Sequence, residues 1–444
     1  MVAGLREFIN SSKRELCSEV IDHETVKMNR SKERYAIKGV ALSLIVMLLL
    51  PNAIYVLFET SSLAPGFILA SWIVFWLNIK QIRMLHTKTF LWVLAVCCVL
   101  MLNSLCIYYI IGDVRTLSAV AFIAVLLTSP LLSSRLAKAE WRELEKSLML
   151  LLHVLAVLGW IGLVYKFLIV GWEQKIKYPF PFSEPSFFAV CYGMFAVGYS
   201  FVASRNFGLY MVVNMILFSF LFPSLTFLLF VVIVIVVMIV RLQAIYFCWG
   251  VLIAPVVILG VGYYFISDVE YFSSRLSFSG TENITTLVWL QGWDLSYINL
   301  NATEWRGLGF QMLGYEGTEL SDISYKLEDL TGKFMNITSG GFLAAKIISE
   351  FGLVGVMLAI LYILFLVCLL IKVGSSSSVS LKSDVTKKIM VLQGLVFGYV
   401  VEFFFRGYGY FSPCLYVSLA ALMATWHIKS ESRDDQRFLP PNEI

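Results

Sequence analysis

Long uninterrupted apolar runs constrain this chain more than any other feature. They fall at about 36–58, 62–79, 89–111, 114–134, 147–170, 184–204, 206–222, 224–241, 244–267, 341–371, 389–405 and 408–428. About 20 apolar residues let a helix cross the hydrocarbon core of a bilayer. A helix is also one of the few structures that satisfies its own backbone hydrogen bonds there. The runs therefore predict an all-α polytopic membrane protein with about 12 transmembrane helices. Composition agrees, because 59% of the 444 residues are hydrophobic and 14% are charged, against about 25% charged in soluble domains. The net charge of +4 is too small and too dispersed to point to nucleic acid.

Charge placement orients the runs. With both termini in the cytoplasm, the short outer segments hold only Arg115, Lys166, Lys175, Lys177 and Arg406 of the 34 Lys and Arg. Most of the others fall on the inner side, as the positive-inside rule requires. The expected organisation is an N-terminal tail (1–35), a first set of spans (36–267), a large outer loop (268–340), a last set of spans (341–428) and a C-terminal tail (429–444). The tail 1–35 is polar and lacks the early apolar stretch of a cleavable signal peptide. Pro223-Ser224 separates two runs either as a turn or as a kink in one helix.

The outer loop is acidic, with carboxylates from Asp268 to Asp329 outnumbering Arg275, Arg306, Lys326 and Lys333. Its Trp, Tyr, Leu and Gly content predicts a folded cap, with a short helix at 283–298, rather than a disordered tether. The eight Cys lie mostly inside apolar runs and form no CxxC, so neither a disulfide framework nor a zinc site is expected.

Few charges lie near the outer ends of the spans. Glu184 sits between Ser183 and Pro185. Pro185 suits a first helical turn, which places Glu184 at the mouth of the sixth span, although a helix start favours an acid in any case. Arg406 closes the eleventh span, and Glu402 one turn earlier offers an i,i+4 ion pair. The plainer alternative is that Arg406 snorkels to the interface and Glu402 neutralises it. Tyr408 and Tyr410 follow among glycines and predict an aromatic rim. Arg275, among Ser273, Ser274, Ser277 and Ser279, matches an anion contact or an interface anchor. Arg306 precedes Gly307-Leu308-Gly309, where backbone can approach a ligand or turn. Glu350 is read first as a helix–helix hydrogen-bond partner, beside Gly352 and Gly355. None of the four His lies at the outer face and no Walker motif is present, so no metal, cofactor or direct ATP use is expected.

Several of these motifs together resemble the O-antigen polymerase/ligase family of bacterial polytopic glycosyltransferases. Phe182-Ser183-Glu184-Pro185-Ser186 resembles its Glu-Pro-Ser signature. Arg275 with its serines, Trp289 and Gly307-Leu308-Gly309 resemble its large periplasmic loop. Ser349-Glu350-Phe351-Gly352-Leu353-Val354-Gly355 resembles the Glu-x-Gly-x-x-Gly opening of the following span. The family's ligases usually carry a histidine late in that loop, where this chain has Asn336-Ile337-Thr338-Ser339-Gly340, which favours a polymerase.

The resemblance implies a GT-C-like fold in the bacterial inner membrane, a partly helical periplasmic loop and an active site facing the periplasm. It implies a metal-independent transfer of a growing glycan from undecaprenyl diphosphate to a sugar hydroxyl of the next lipid-linked repeat unit, in surface polysaccharide (lipopolysaccharide) biosynthesis. Glu184, Arg275 and Arg406 are the expected catalytic residues. Trp289, Arg306, Tyr408, Tyr410 and Glu402 are the expected substrate contacts, with Trp305 as a further sugar-stacking candidate. The expected partners are the lipid-linked oligosaccharide, the bilayer and a polysaccharide chain-length regulator. The alternatives are a ligase of the same family and a lipid-linked-oligosaccharide flippase. The Asn283, Asn301 and Asn336 sequons also raise a eukaryotic origin.

Overall fold

The computed structural model describes residues 39–165, 168, 179–222, 224–242, 283–315, 318–375 and 383–437. Arg275 with its serines, the expected span at 244–267 and the tail 1–35 lie outside the described residues. Among those described, every regular element is helical. The first group is α1 (Gly39–Leu57), α2 (Ala64–Asn78), α3 (Thr87–Ile111), α4 (Ser118–Leu126), α5 (Ser129–Lys138) and α6 (Trp141–Tyr165). Then come α7 (Pro185–Ser200), α8 (Arg205–Leu221) and α9 (Leu225–Leu242). The polar insertion supplies α10 (Ile284–Ala302) and α11 (Asp322–Thr331). The chain closes with α12 (Leu343–Phe351), α13 (Leu353–Ser375), α14 (Asp384–Gly398), α15 (Val400–Phe404) and α16 (Pro413–Arg437).

Among the described residues, six helical stretches are long and apolar enough to cross a membrane: Gly39–Leu57, Ala64–Met84, Thr87–Ile111, Val114–Lys138, Trp141–Tyr165 and Leu353–Ser375. On α3, Leu91, Trp92, Val99 and Leu102 are exposed, as are Val354, Leu361 and Ile371 on α13. Such apolar faces are stable against lipid and costly against water. The architecture is that of an all-α membrane protein. Three other expected spans take shorter forms. Those at 184–204, 206–222 and 224–241 become helices of 16, 17 and 18 residues.

The runs at 206–222 and 224–241 form two helices, α8 ending at Leu221 and α9 beginning at Leu225, rather than one kinked helix. A Cβ on Gly208, early in α8, would lie 2.6 Å from Met238 Cε, late in α9. The two helices therefore run antiparallel. The apolar run 341–371 is not continuous either. It breaks at Gly352, whose φ is +57°, a conformation that costs least without a Cβ. Chain from the cap fills the break. Leu308 N–H donates to Ser349 O (3.0 Å), Gly309 N–H to Glu350 O (2.8 Å) and Leu353 N–H to Trp305 O (2.9 Å). Helix-end carbonyls that would otherwise lack partners are thus satisfied by the loop.

α7 is the core of the bundle, with every residue from Phe188 to Ser200 buried. It packs against α14 through small residues. A Cβ on Gly398 would lie 2.6 Å from Met194 O, and one on Gly394 would lie 2.8 Å from Gly198 O. Gly394-x-x-x-Gly398 thus lets two backbones approach, as such motifs do inside membranes.

The cap is folded, and α10 begins where the short helix was expected. Asn283 caps it, accepting from Thr285 N–H and Thr286 N–H, and is buried. Its side chain is therefore committed inside the fold and not presented for glycosylation. α10 is tied to α12 by Ser296 Oγ–H donating to Ala345 O (3.0 Å), and to α11 by Gln291 Nε2–H donating to Ser324 Oγ (2.9 Å).

Candidate functional site

Glu184 and Arg406 meet. Pro185 is the first residue of α7, and Glu184 precedes it with extended backbone (φ −146°, ψ 150°). The Glu184 carbonyl starts the helix by accepting from Phe187 and Phe188 N–H. Its carboxylate makes no capping bond and reaches sideways to Arg406, where Arg406 Nη2 lies 2.5 Å from Glu184 Oε2. The two residues are 222 positions apart. Ser186 Oγ–H also donates to Glu184 Oε2 (3.2 Å). Both charged side chains are part-exposed, Arg406 at 34% and Glu184 at 40%.

Arg406 does not pair with Glu402, contrary to the i,i+4 expectation. α15 ends at Phe404, and the N–H groups of Phe405 and Arg406 both turn back to Val401 O (2.9 and 3.0 Å). The helical register that an i,i+4 pair needs is therefore lost. Glu402 is 0% exposed. Its Oε1 accepts from Tyr408 N–H (3.3 Å), while its Oε2 lacks a hydrogen-bond partner. Through that bond it holds the backbone of the rim at Tyr408.

Aromatic side chains wall the pair. The Phe187 ring lies 5.5 Å from the Arg406 guanidinium carbon, within reach of a cation–π attraction. Phe187 stacks on Tyr408 at 3.8 Å between centroids, and Tyr408 Oη–H donates to Asn52 Oδ1 (3.2 Å) on α1. Trp289 on α10 donates its indole N–H to Phe404 O (3.0 Å), and its ring is stacked with Phe405. Phe187 of α7 thus flanks the guanidinium with Tyr408 stacked on it, while Trp289 of α10 packs on the neighbouring Phe404–Phe405 segment.

The remaining expected contacts lie elsewhere. Arg306 is exposed and pairs with Glu304 at 3.0 Å, and Trp305 beside it is also exposed. Neither is in contact with the Glu184–Arg406 pair. Tyr410 is 5% exposed, so it is not an open stacking platform. Its hydroxyl donates to Glu350 Oε2 (2.7 Å). Glu350 does not bridge two helices, as expected for it. Its carboxylate accepts from Gln311 N–H (2.9 Å) and Leu313 N–H (3.2 Å) in the cap. Lys346 Nζ lies 3.5 Å from it and is also buried.

Lys346, Phe187 and Asn52 take part in these arrangements without having been singled out by the sequence. Lys346 carried a usable signal, as a lone cation four residues before Glu350 at the start of an apolar run. Among the described residues no group of three or more His, Cys, Asp or Glu is placed to hold a metal ion.

Compared with known proteins, the chain matches no family model and no curated protein.

Proposed function

We propose that this protein is a surface-polysaccharide polymerase of the O-antigen kind, acting at the periplasmic face of the bacterial inner membrane. One observation carries the reading. A carboxylate and a guanidinium, both expected from the family resemblance to be catalytic, meet in a part-exposed pair flanked by Phe187, although they lie 222 positions apart. A pair this exposed contributes only about 0–1 kcal/mol to stability, so the fold does not depend on keeping it closed. A diphosphate oxygen can therefore displace Glu184 from the Arg406 fork, for which it is a good geometric match.

The step then balances as follows. The acceptor sugar hydroxyl attacks the anomeric carbon of the growing glycan. The bond from that carbon to the diphosphate oxygen breaks, and its electron pair leaves with undecaprenyl diphosphate. Arg406 stabilises the charge that develops on the leaving oxygen. Glu184, released from Arg406, takes the hydroxyl proton. Arg275 is the second cation of this reading. Trp289 and Tyr408 form the wall nearest the sugars. The finer expectations of 12 spans, a GT-C-like fold and cytoplasmic termini belong to the same proposal, as does a chain-length regulator as partner.

The test is reconstitution of the purified full chain in lipid with undecaprenyl-diphosphate-linked repeat units. Polymerase activity gives glycans of two or more units still on the lipid carrier. Transfer to a lipid A core or a protein, with no lengthening on the carrier, assigns a ligase. Movement of the lipid-linked unit across the bilayer with no new glycosidic bond assigns a flippase.

A further inference from the structure

We propose that Glu350 is a positioning residue, which acts through Tyr410 to fix the 405–411 rim and hold Arg406 where it works. The proposal rests on the reading of Arg406 as the cation that meets the leaving diphosphate.

Glu350 and Lys346 lie on α12 and are both buried, at 1% and 6% exposure. A buried ion pair is weak evidence for stability, so its presence here calls for another reason. Its bonding shows one. Glu350 accepts two cap N–H groups (Gln311 and Leu313) and the Tyr410 hydroxyl, and it forms an ion pair with the Lys346 ammonium at 3.5 Å. Lys346 in turn donates to Gln311 Oε1 and Thr338 O, both at 2.8 Å. Its Nζ also lies 5.4 Å from the centre of the Tyr410 ring. The lone pairs and protons are taken up within the protein, which leaves no vacancy for a substrate group. The cluster is therefore a strut and not a second binding site.

What it braces is specific. Between the end of α15 and the start of α16 the chain turns through Gly407 and Gly409, the latter at φ +75°. Arg406 is held there by its own N–H to Val401 O and by the next residue's N–H to Gly341 O (3.3 Å). Side chains anchor the rest of the turn as well: Glu402 Oε1 accepts from Tyr408 N–H, Tyr408 Oη–H donates to Asn52, and Tyr410 Oη–H donates to Glu350. The Tyr410–Glu350 bond is charge-assisted and, at 2.7 Å, the shortest of the three, and so the strongest. Through it the cap residues 311–313 and Arg406 share a single reference point.

Tyr410→Phe deletes the bond and keeps the ring, which packs on Phe310 at 4.8 Å. Two readouts are taken on the full chain in lipid nanodiscs. The first is amide hydrogen exchange over 405–411 without substrate. The second is kcat and KM for polymerisation of lipid-linked repeat units.

The expected result is exchange about tenfold faster at 405–411, with α14 unchanged, the size expected for one lost hydrogen bond to a charged group. It comes with a kcat lower by about tenfold and a KM within about twofold, the pattern of an interaction made in the transition state. Glu350→Gln, which keeps a neutral acceptor for Tyr410, falls between wild type and Tyr410→Phe. Wild-type exchange in Tyr410→Phe overturns the proposal, and so does faster exchange with unchanged kcat. If the wild-type protein does not polymerise at all, the functional reading fails by itself. The exchange arm then still decides whether Glu350 holds the rim.

Discussion

Two ion pairs lie on either side of the same short turn and have opposite characters. Glu184–Arg406 is part-exposed, spans distant elements and leaves Arg406 Nε without a partner. Lys346–Glu350 is buried, local to one helix and saturated with hydrogen bonds. The difference separates chemistry from architecture. A group that must exchange partners during a reaction needs solvent access and unused bonding capacity. A group that must hold geometry needs neither, and burial makes its bonds harder to break.

The largest effect expected from that contrast is on folding. Glu350→Ala leaves Lys346 as a buried cation without its carboxylate, and strips acceptors from two cap N–H groups and the Tyr410 hydroxyl. Breaking one side of a buried pair costs about 3–5 kcal/mol, so equilibrium unfolding in detergent should show a loss of that order. A loss under about 1 kcal/mol would erase the distinction between the pairs.

Arg406→Ala should behave the other way. Its rate of polymerisation falls by about 10²–10³, the cost of removing one preorganised charge-stabilising donor. Its unfolding free energy stays within about 1 kcal/mol of wild type. Equal damage to stability and rate would show that Arg406 is structural.

Tyr408→Phe is a smaller probe of the rim, at its tie to α1. It loses the bond to Asn52 but keeps the stack on Phe187, for about 1 kcal/mol in unfolding.

The smallest effect concerns the turn between α3 and α4. There Arg115 N–H, and then the Arg115 fork, hold the Asp113 carboxyl below its ordinary range. Arg115 also lies 5.7 Å from the Tyr315 ring of the cap. Because the folded value is depressed, the contribution is complete above the unfolded value of about 3.9. It is lost as pH falls through the folded value. Asp113→Asn should remove that acid-side dependence from cap hydrogen exchange and leave exchange at pH 7 nearly unchanged.

How much of this was legible in the sequence follows from the range of each interaction. Helix content and apolar spans were legible, because hydropathy and the bilayer's thickness are local constraints. Glu184 and Arg406 were legible as individuals, since charges are rare at the ends of apolar runs. Their meeting was expected only through the family resemblance, because nothing local encodes contact across 222 positions. The expected Glu402–Arg406 pair misled because i,i+4 reasoning assumes a continuous helix, and α15 stops at Phe404. The break at Gly352 was hidden for a similar reason. Hydropathy runs smoothly through 341–371, while the partners that stabilise the break, Trp305 to Gly309, come from the cap. Gly394-x-x-x-Gly398 was a visible signal for the α7–α14 seam, and it was not read from the sequence.

The most direct test of the central claim, that Glu184 and Arg406 act as one site, is a double-mutant cycle on the rate of polymerisation. Rates are measured for wild type, Glu184→Ala, Arg406→Ala and the double variant, with unfolding checked for each. Groups that act as a unit are strongly non-additive, so the account predicts a double variant within about threefold of the slower single variant. Losses that multiply would contradict it, as would single variants that polymerise at the wild-type rate.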